Sequence, residues 1–429
     1  MIGTDPEIPG FGCDAIGGED AMISVEKALE LVLANVPEGR IERVPFQSAL
    51  GCVLAETLTA TINVPPFHRS SMDGFAVRAE DTTNAPTELE LAGEIRAGNE
   101  CSHLVRAGQA FAIMTGAPVP EGADAVQVVE QTERSNDGHR VTILKPVRQG
   151  ENIALLGSEA ALGETVIESG RLVGPAELAV MASFGYSTVK VWRRPIVALI
   201  TTGDELVEVG EMPRPGQIRN SNAYSLGGQL RLLGVDVDFL GIARDDKQEL
   251  RSLIARGLEK DMVILTGGVS MGEYDFVKDV LEDLAFELLF TKVAMKPGKP
   301  TVFARKGHKL AFGLPGNPVS AFIAFENFVR PVLGRLRGFS RPDLPRIKGV
   351  LLRDMKQSPG RTAFLPARVR WESDGWKIEP LPWRGSADII GFSRANAAVI
   401  FPADRTVMKS GEDAESMLFP DYLQRLQIN

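Results

Sequence analysis

Three short apolar runs, each passing directly into a glycine-rich turn, constrain this chain more than any other feature. Met262–Leu265 carries no charge and enters Thr266-Gly267-Gly268-Val269-Ser270-Met271-Gly272. Ile196–Ile200 enters Thr201-Thr202-Gly203-Asp204-Glu205, and Lys309–Phe312 leads into Gly313-Leu314-Pro315-Gly316-Asn317-Pro318-Val319-Ser320. Apolar runs of this length, bounded by turn residues, read as buried strands. In a mostly parallel sheet the loops after such strands gather at the carboxyl edge, where ligands bind at the switch in strand order. Glycines let backbone N–H groups approach a phosphate, and Ser270 adds a hydroxyl. Asp275 is expected to open a helix whose N-terminus carries partial positive charge. The competing reading of any one loop is an ordinary tight turn.

At 429 residues the chain exceeds what one core usually supports, so roughly two to four domains are expected. Residues 1–20 read as a loose tail rich in Gly. Ser24 caps a helix over Val25 to Asn35 whose apolar face needs a docking surface, a second subunit being one candidate. Residues 60–145 hold short alternating strands and turns, a small β domain. It interrupts two mixed segments, 21–59 and 146–189, which the sequence allows to be halves of one elongated domain. Strands and helices then alternate across 190–339, implying βαβ units, and 340–429 carries only short strands.

Composition narrows the partners. A formal net charge of −9 argues against nucleic acid or an anionic membrane. No apolar run approaches the ~20 residues that span a bilayer, and no basic-then-apolar leader is present, so a cytoplasmic location is expected. Cys13, Cys52 and Cys101 lack the spacing of a zinc site or a disulfide framework, and the four histidines are scattered.

The charged residues near the glycine loops point to anion chemistry. Lys292, Lys296 and Lys299 fall within Thr291–Pro300, the last two held in Lys-Pro-Gly-Lys-Pro, a rigid cationic turn. The alternative is a solvated surface, where most lysines sit. Glu205, Asp245 and Asp275 would share one sheet edge. Two carboxylates about 4 Å apart repel by roughly 4 kcal/mol at an effective dielectric near 20, so the cluster calls for a cation. Mg²⁺ suits it, taking one or two carboxylates with substrate phosphate and water. Asp245 or Asp246 has a plainer explanation as the N-cap of the helix Lys247 to Ala255. Upstream, Pro65-Pro66-Phe67-His68-Arg69-Ser70-Ser71-Met72-Asp73-Gly74 displays hydroxyls and a carboxylate, with Asp-Gly also the commonest hairpin turn. The residues alone imply a Mg²⁺-dependent, phosphate-handling enzyme.

With these residues in view the chain resembles the molybdopterin molybdenumtransferases, the MoeA family and the E domain of gephyrin-like proteins. The carrying motifs are PPFHRSSMDGFA (65–76), MTGAPVPEGADAV (114–126), TTGDEL (201–206), GQIRNSN (216–222), TGGVSMGEYDF (266–276), KPGKP (296–300) and GLPGNPVSA (313–321). They run in family order across nearly all of the chain beyond about residue 20. The resemblance implies a multidomain α/β protein: a central doubly wound, mostly parallel α/β domain, a small inserted β domain, an elongated mixed domain and a C-terminal β-barrel-like domain. It implies a homodimer that takes adenylyl-molybdopterin and molybdate, cleaves the phosphoanhydride with Mg²⁺, and releases AMP and molybdenum cofactor. A molybdopterin adenylyltransferase and cofactor acceptors become expected partners.

Carried over position by position, Asp73 and Thr115 match residues facing the cleft from the partner subunit, and Glu205, Asp245 and Asp275 match the acidic, metal-holding positions. Lys292, Lys296 and Lys299 match family lysines. Gly267, Gly268, Ser270, Gly272, Pro315, Gly316, Asn317, Pro318, Arg361 and Ser386 fall where substrate or metallate is held. The chain departs from the family at Ser71, at Ala154 and Ser158-Glu159, and at Ala363 and Pro366, which bear on pterin or metallate binding. Alternatives are a paralogue handling tungstate, a molybdopterin adenylyltransferase, a non-catalytic gephyrin-like scaffold, or a nucleotide-binding protein without a molybdenum role.

Overall fold

A computed structural model describes residues 22–98, 102–269 and 275–421. The chain forms two compact units: Arg43–Leu50 with Leu54–Lys190, and the remainder. The contacts thus divide segment 21–59 between the two. Helix α1, Val25–Ala34, belongs to the larger unit; the Ser24 side chain accepts from the Lys27 N–H and caps it. Val25, Ala28 and Val32 are buried in the same cluster as Phe328 and Val332. The face expected to need a partner is therefore covered by its own chain.

The smaller unit is built on a six-stranded sheet. Its strands are β1 Gly74–Val77, β2 Thr87–Ile95, β3 Gln109–Ile113, β4 Ala125–Val128, β5 Thr132–Arg134 and β6 Arg140–Ile143. They lie in the order β4-β1-β3-β2-β6-β5. Asp73-Gly74 is not a hairpin turn, because Arg69–Ser70 before it pairs with Ile153–Ala154 while β1 pairs with β3 and β4. Glycine is required at 74 by close approach: a Cβ there would lie 1.9 Å from the Gln127 carbonyl oxygen on β4. Helix α2, Pro175–Ser183, starts on proline, and the Glu177 carboxylate accepts from the Gly174 N–H at 2.9 Å.

In the larger unit β7 Ile196–Thr202, α3 Asn222–Leu232, β8 Asp236–Ala243, α4 Lys247–Gly257, β9 Met262–Thr266, α5 Val277–Asp283 and β10 Glu287–Phe290 follow in turn. After the short strand β11, Met295–Lys296, come β12 Val302–Lys306, β13 Lys309–Leu314 and α6 Pro318–Ala324. A π-helical turn, Phe325–Val329, joins α6 to α7 Arg330–Leu336. The sheet order is β8-β7-β9-β13-β12-β10, with the first four strands parallel. Strand order reverses around β7: the chain goes outward to β8, then crosses back to β9. Val197, Leu199, Met262, Ile264 and Phe312 face the cluster that includes residues of α1, α3, α6 and α7. Ala198, Ile200, Val263, Leu265 and Ala311 face α4 and α5. Both faces are covered, as near-continuous apolar strands require. Each fully buried Leu, Ile or Phe contributes roughly 1.5–3 kcal/mol by leaving water.

The C-terminal strands are β14 Arg346–Leu351, β15 Thr362–Glu372, β16 Gly375–Pro380, β17 Ala397–Phe401 and β18 Asp413–Leu418. They run β15-β16-β14-β18-β17, and β17 pairs again with β15, closing a five-stranded barrel. Strand β11 adds to β15 in parallel, Met295 opposite Thr362.

Candidate active site

Register brings the ends of four strands level. Thr202 on β7 stands opposite Ala243 on β8, Thr201 opposite Thr266 on β9, and Thr266 opposite Leu314 on β13. The loops that follow enclose a cleft of about 590 Å³, within the range of ligand sites. Its lining includes Glu205, Asp245 and Asp275, and also Gly267, Gly268, Pro315, Gly316, Asn317 and Pro318. Gly267 has φ +94°, and a Cβ there would fall 2.6 Å from the Thr202 carbonyl and hydroxyl oxygens, so only glycine fits.

The three acids arrive by different routes. Asp246 is the N-cap of α4, accepting from the Glu249 N–H at 2.8 Å. That leaves its neighbour Asp245 to face the cleft; the Asp245 backbone N–H donates to the Asp204 carboxylate at 3.3 Å. Burial pushes the Asp245 carboxyl above the ordinary carboxylate range. The charges of Asp204, Glu205 and Asp275 add to this, against a hydrogen bond from the Asp204 backbone. Asp275 does not itself open the helix: α5 begins at Val277, after Phe276 as N-cap, and the Val277 N–H is taken by the Gly268 carbonyl. Among the described residues no group of three His, Cys, Asp or Glu side chains closes into a metal cage. Glu205, Asp245 and Asp275 share the cleft as separate hard oxygen donors. This fits Mg²⁺, which takes few protein carboxylates and completes its shell with water and phosphate oxygens.

The same lining holds a polar floor. Thr201, Thr202, Thr266, Asn220 and Asn222 are all buried. Asn220 Nδ2 donates to Thr201 Oγ1 at 2.9 Å, and Asn220 Oδ1 caps α3 through the Ala223 N–H. Asn222 Nδ2 donates to Thr266 Oγ1 at 2.9 Å and to the Gly316 carbonyl at 2.8 Å. Two asparagines within three residues, where one cap suffices, were the available signal.

The lysines stand elsewhere. Lys292, Lys296 and Lys299 do not line the cleft, although Pro300 does. Lys296 Nζ donates to Gln357 Oε1 at 2.7 Å, and Lys299 is exposed. Arg361 immediately precedes β15, where the Thr362 N–H bonds the Ala294 carbonyl, so it is stitched beside the lysine segment. Ser386 Oγ accepts from Asn317 Nδ2 at 2.9 Å, and its neighbour Ala387 reaches the cleft lining. In the smaller unit the Thr115 N–H donates to Asp73 Oδ1 at 2.7 Å, both residues being exposed. A cavity of about 440 Å³ beside Asp73 is lined by Phe75, Glu94, Met114 and Arg134. Ser270 and Gly272 lie outside the described residues. No helix among those described is long and apolar enough to cross a membrane.

Comparison with known proteins gives a consistent picture. The MoeA N-terminal region (domain I and II) matches residues 23–185, the probable molybdopterin binding domain 198–335, and the MoeA C-terminal region (domain IV) 348–419. The molybdopterin molybdenumtransferases of Staphylococcus aureus (strain Mu50 / ATCC 700699) and Staphylococcus epidermidis (strain ATCC 12228 / FDA PCI 1200) are 35% and 34% identical to the chain over 401 residues. Each match covers 92% of this chain and 95% of the relative. Two solved structures of molybdopterin biosynthesis MoeA proteins from Pyrococcus horikoshii are 34% and 30% identical, both with a TM-score of 0.79. They match over 93% of this chain and 99% and 100% of theirs.

Proposed function

The chain belongs to the MoeA family of molybdopterin molybdenumtransferases, and from that premise we propose that it joins molybdate to adenylyl-molybdopterin in a Mg²⁺-dependent step. As a member of this family it is a transferase of molybdenum cofactor biosynthesis that inserts molybdenum. In the finer reading the phosphoanhydride is cleaved, AMP leaves, and the metallate is held by the dithiolene sulfurs. The observation that carries it is the meeting of Glu205, Asp245 and Asp275 with the Gly267–Gly268 and Pro315–Gly316 loops around one cleft.

Within this proposal Glu205, Asp245 and Asp275 hold the Mg²⁺, which supplies charge neutralisation for the phosphates when bound. Backbone N–H groups of the glycine loop orient the anhydride. From outside the lining of the cleft Lys292, Lys296, Lys299, Arg361 and Ser386 attract the oxyanion, and Asp73 and Thr115 complete the site from a second copy of the chain. The enzyme works in the cytoplasm, receives its substrate from a molybdopterin adenylyltransferase and passes the product to acceptor enzymes. A scaffold without catalysis is disfavoured by the retained acids: Asp245 is kept against burial and three like charges, which a passive surface does not need.

The test is AMP release from adenylyl-molybdopterin and Mg²⁺, with molybdate or tungstate added. Molybdate-stimulated release is expected. Release indifferent to either metallate would leave a simple hydrolase, a larger response to tungstate would reassign the metal, and no release would favour the scaffold.

A further inference from the structure

We infer that Asn222 is a substrate-recognition residue, its carboxamide oxygen accepting a hydrogen bond from an N–H or O–H group of the molecule bound in the cleft. The inference rests on the proposed reaction for the identity of that molecule, not for the geometry.

The orientation of the amide is forced by its neighbours. One atom of the carboxamide lies 2.8 Å from the Gly316 carbonyl oxygen, which can only accept, so that atom is the nitrogen. The second contact agrees. Thr266 Oγ1 spends its proton on the Pro315 carbonyl at 3.0 Å and must therefore accept from Asn222. Both amide hydrogens are thus committed, and Oδ1 is left as a pure acceptor. Among the described residues no protein group donates to it, although it is buried.

Every side-chain neighbour in the floor except Thr202 has its hydrogen-bonding use: Thr201 with Asn220, Thr266 with Pro315, Asn220 with α3. Thr202 Oγ1 is another buried atom for which the described residues supply no partner, and it shares the cleft lining with Asn222, directly below the Gly267–Gly268 turn, whereas Gln229 Oε1 and Ser416 Oγ, which also lack one, lie outside that lining. Buried acceptors are nearly always paired in folded proteins, and exceptions mark places completed by water or ligand. Asn222 is 9% exposed and stands in the cleft wall, so a ligand seated there is the nearest source of a donor. A residue needed only to tie the Pro315–Gly316 loop to β9 would serve with donors alone. The asparagine adds an acceptor whose cost is recovered only on binding.

A suitable donor exists on either half of the substrate, as the ring N–H groups of the pterin or as the amine and ribose hydroxyls of the adenylate. Binding of molybdopterin and of AMP is therefore measured separately by calorimetry, for the wild type, Asn222→Ala, and Gln229→Met. Gln229 is on the same helix but ties α3 to Glu326 rather than facing the cleft. Asn222→Ala is expected to weaken one probe at least ten-fold and leave the other within two-fold, whereas Gln229→Met lowers the melting temperature and leaves both affinities within two-fold. The weakened probe identifies the half that is read. Unchanged affinities in Asn222→Ala, or equal losses for both probes, overturn the inference. A wild type that binds neither probe overturns the proposed function instead. Should Asn222→Ala not fold, Asn222→Ser is measured in the same way, with a loss confined to one probe expected and unchanged or equally reduced affinities again overturning the inference.

Discussion

The Asp73 carboxylate takes a hydrogen bond of 2.7 Å from the backbone N–H of Thr115, 42 positions further along the chain. The bond holds one carboxylate oxygen in place at the end of β1 and leaves the other for chemistry. An asparagine keeps an accepting oxygen but not the charge. Asp73→Asn should melt within a degree or two of the wild type while turnover falls by about 10²-fold or more. Asp73→Ala should in addition lose about 1–2 kcal/mol of stability in urea unfolding. Turnover within ten-fold of wild type in both variants would remove Asp73 from the reaction.

Asp245 gives a prediction whose sign follows from linkage. Its carboxyl is raised, by burial first and then by Asp204, Glu205 and Asp275, so the folded chain holds this proton more tightly than the unfolded one. The stability it contributes therefore falls as pH rises from the ordinary carboxylate range through the raised value, and stays low above it. Asp245→Asn should melt higher than wild type at neutral pH without Mg²⁺, with the gain vanishing on acidification, while losing turnover. Melting curves across about pH 4 to 8 decide it, and an equal or lower melting temperature at neutral pH would contradict the repulsion.

Its neighbour should behave in the opposite way. Asp246 caps α4, so Asp246→Ala is expected to cost about 1 kcal/mol and to leave turnover within about three-fold. A collapse of activity in this variant would mean that the two adjacent acids have been assigned the wrong way round.

In the smaller unit Gly74→Ala would drive a methyl group into the Gln127 carbonyl, a contact of 1.9 Å that only strand separation relieves. A loss of about 3 kcal/mol or more is expected in urea unfolding. A loss below about 1 kcal/mol would mean that β1 and β4 part easily.

Chelation should abolish AMP release and added Mg²⁺ should restore it. Glu205→Gln and Asp275→Asn should each shift the Mg²⁺ needed for half-maximal rate upward, by about ten-fold. Full activity in chelator would exclude the cation role of the acids.

The parts of the fold that could be read from sequence are those set by local pattern. The strands β7 and β9 carry no charge because both faces are covered, and glycine loops mark where they stop. Ser24 and the Asn220-Ser221-Asn222 run announce helix starts for reasons internal to a few residues. Choices made by tertiary contact were hidden. Asp245 and Asp246 are the same residue type in adjacent positions, and only the backbone turn into α4 decides which one caps. Helix α1 could have faced a second subunit until Val25, Ala28 and Val32 were found against Phe328 and Val332. The role of Asn222 has no local sign because its partners, Thr266 and Gly316, lie 44 and 94 positions away. Pairing of β11 with β15 sets Lys296 beside Gln357, 61 positions away, a neighbour that no local pattern announces.

Strand β11 falls within the stretch of sequence that otherwise builds the α/β sheet, but its backbone partner is β15, beyond the linker of residues 337–345 that joins α7 to β14. Cutting the gene at that linker would consequently leave each fragment with a raw edge: β15 without its outer neighbour, and the lysine turn without the frame that shapes it. Fragment complementation, rather than independent folding, is the behaviour to expect from the two halves, with Met295 and Thr362 regaining their register only when both are present.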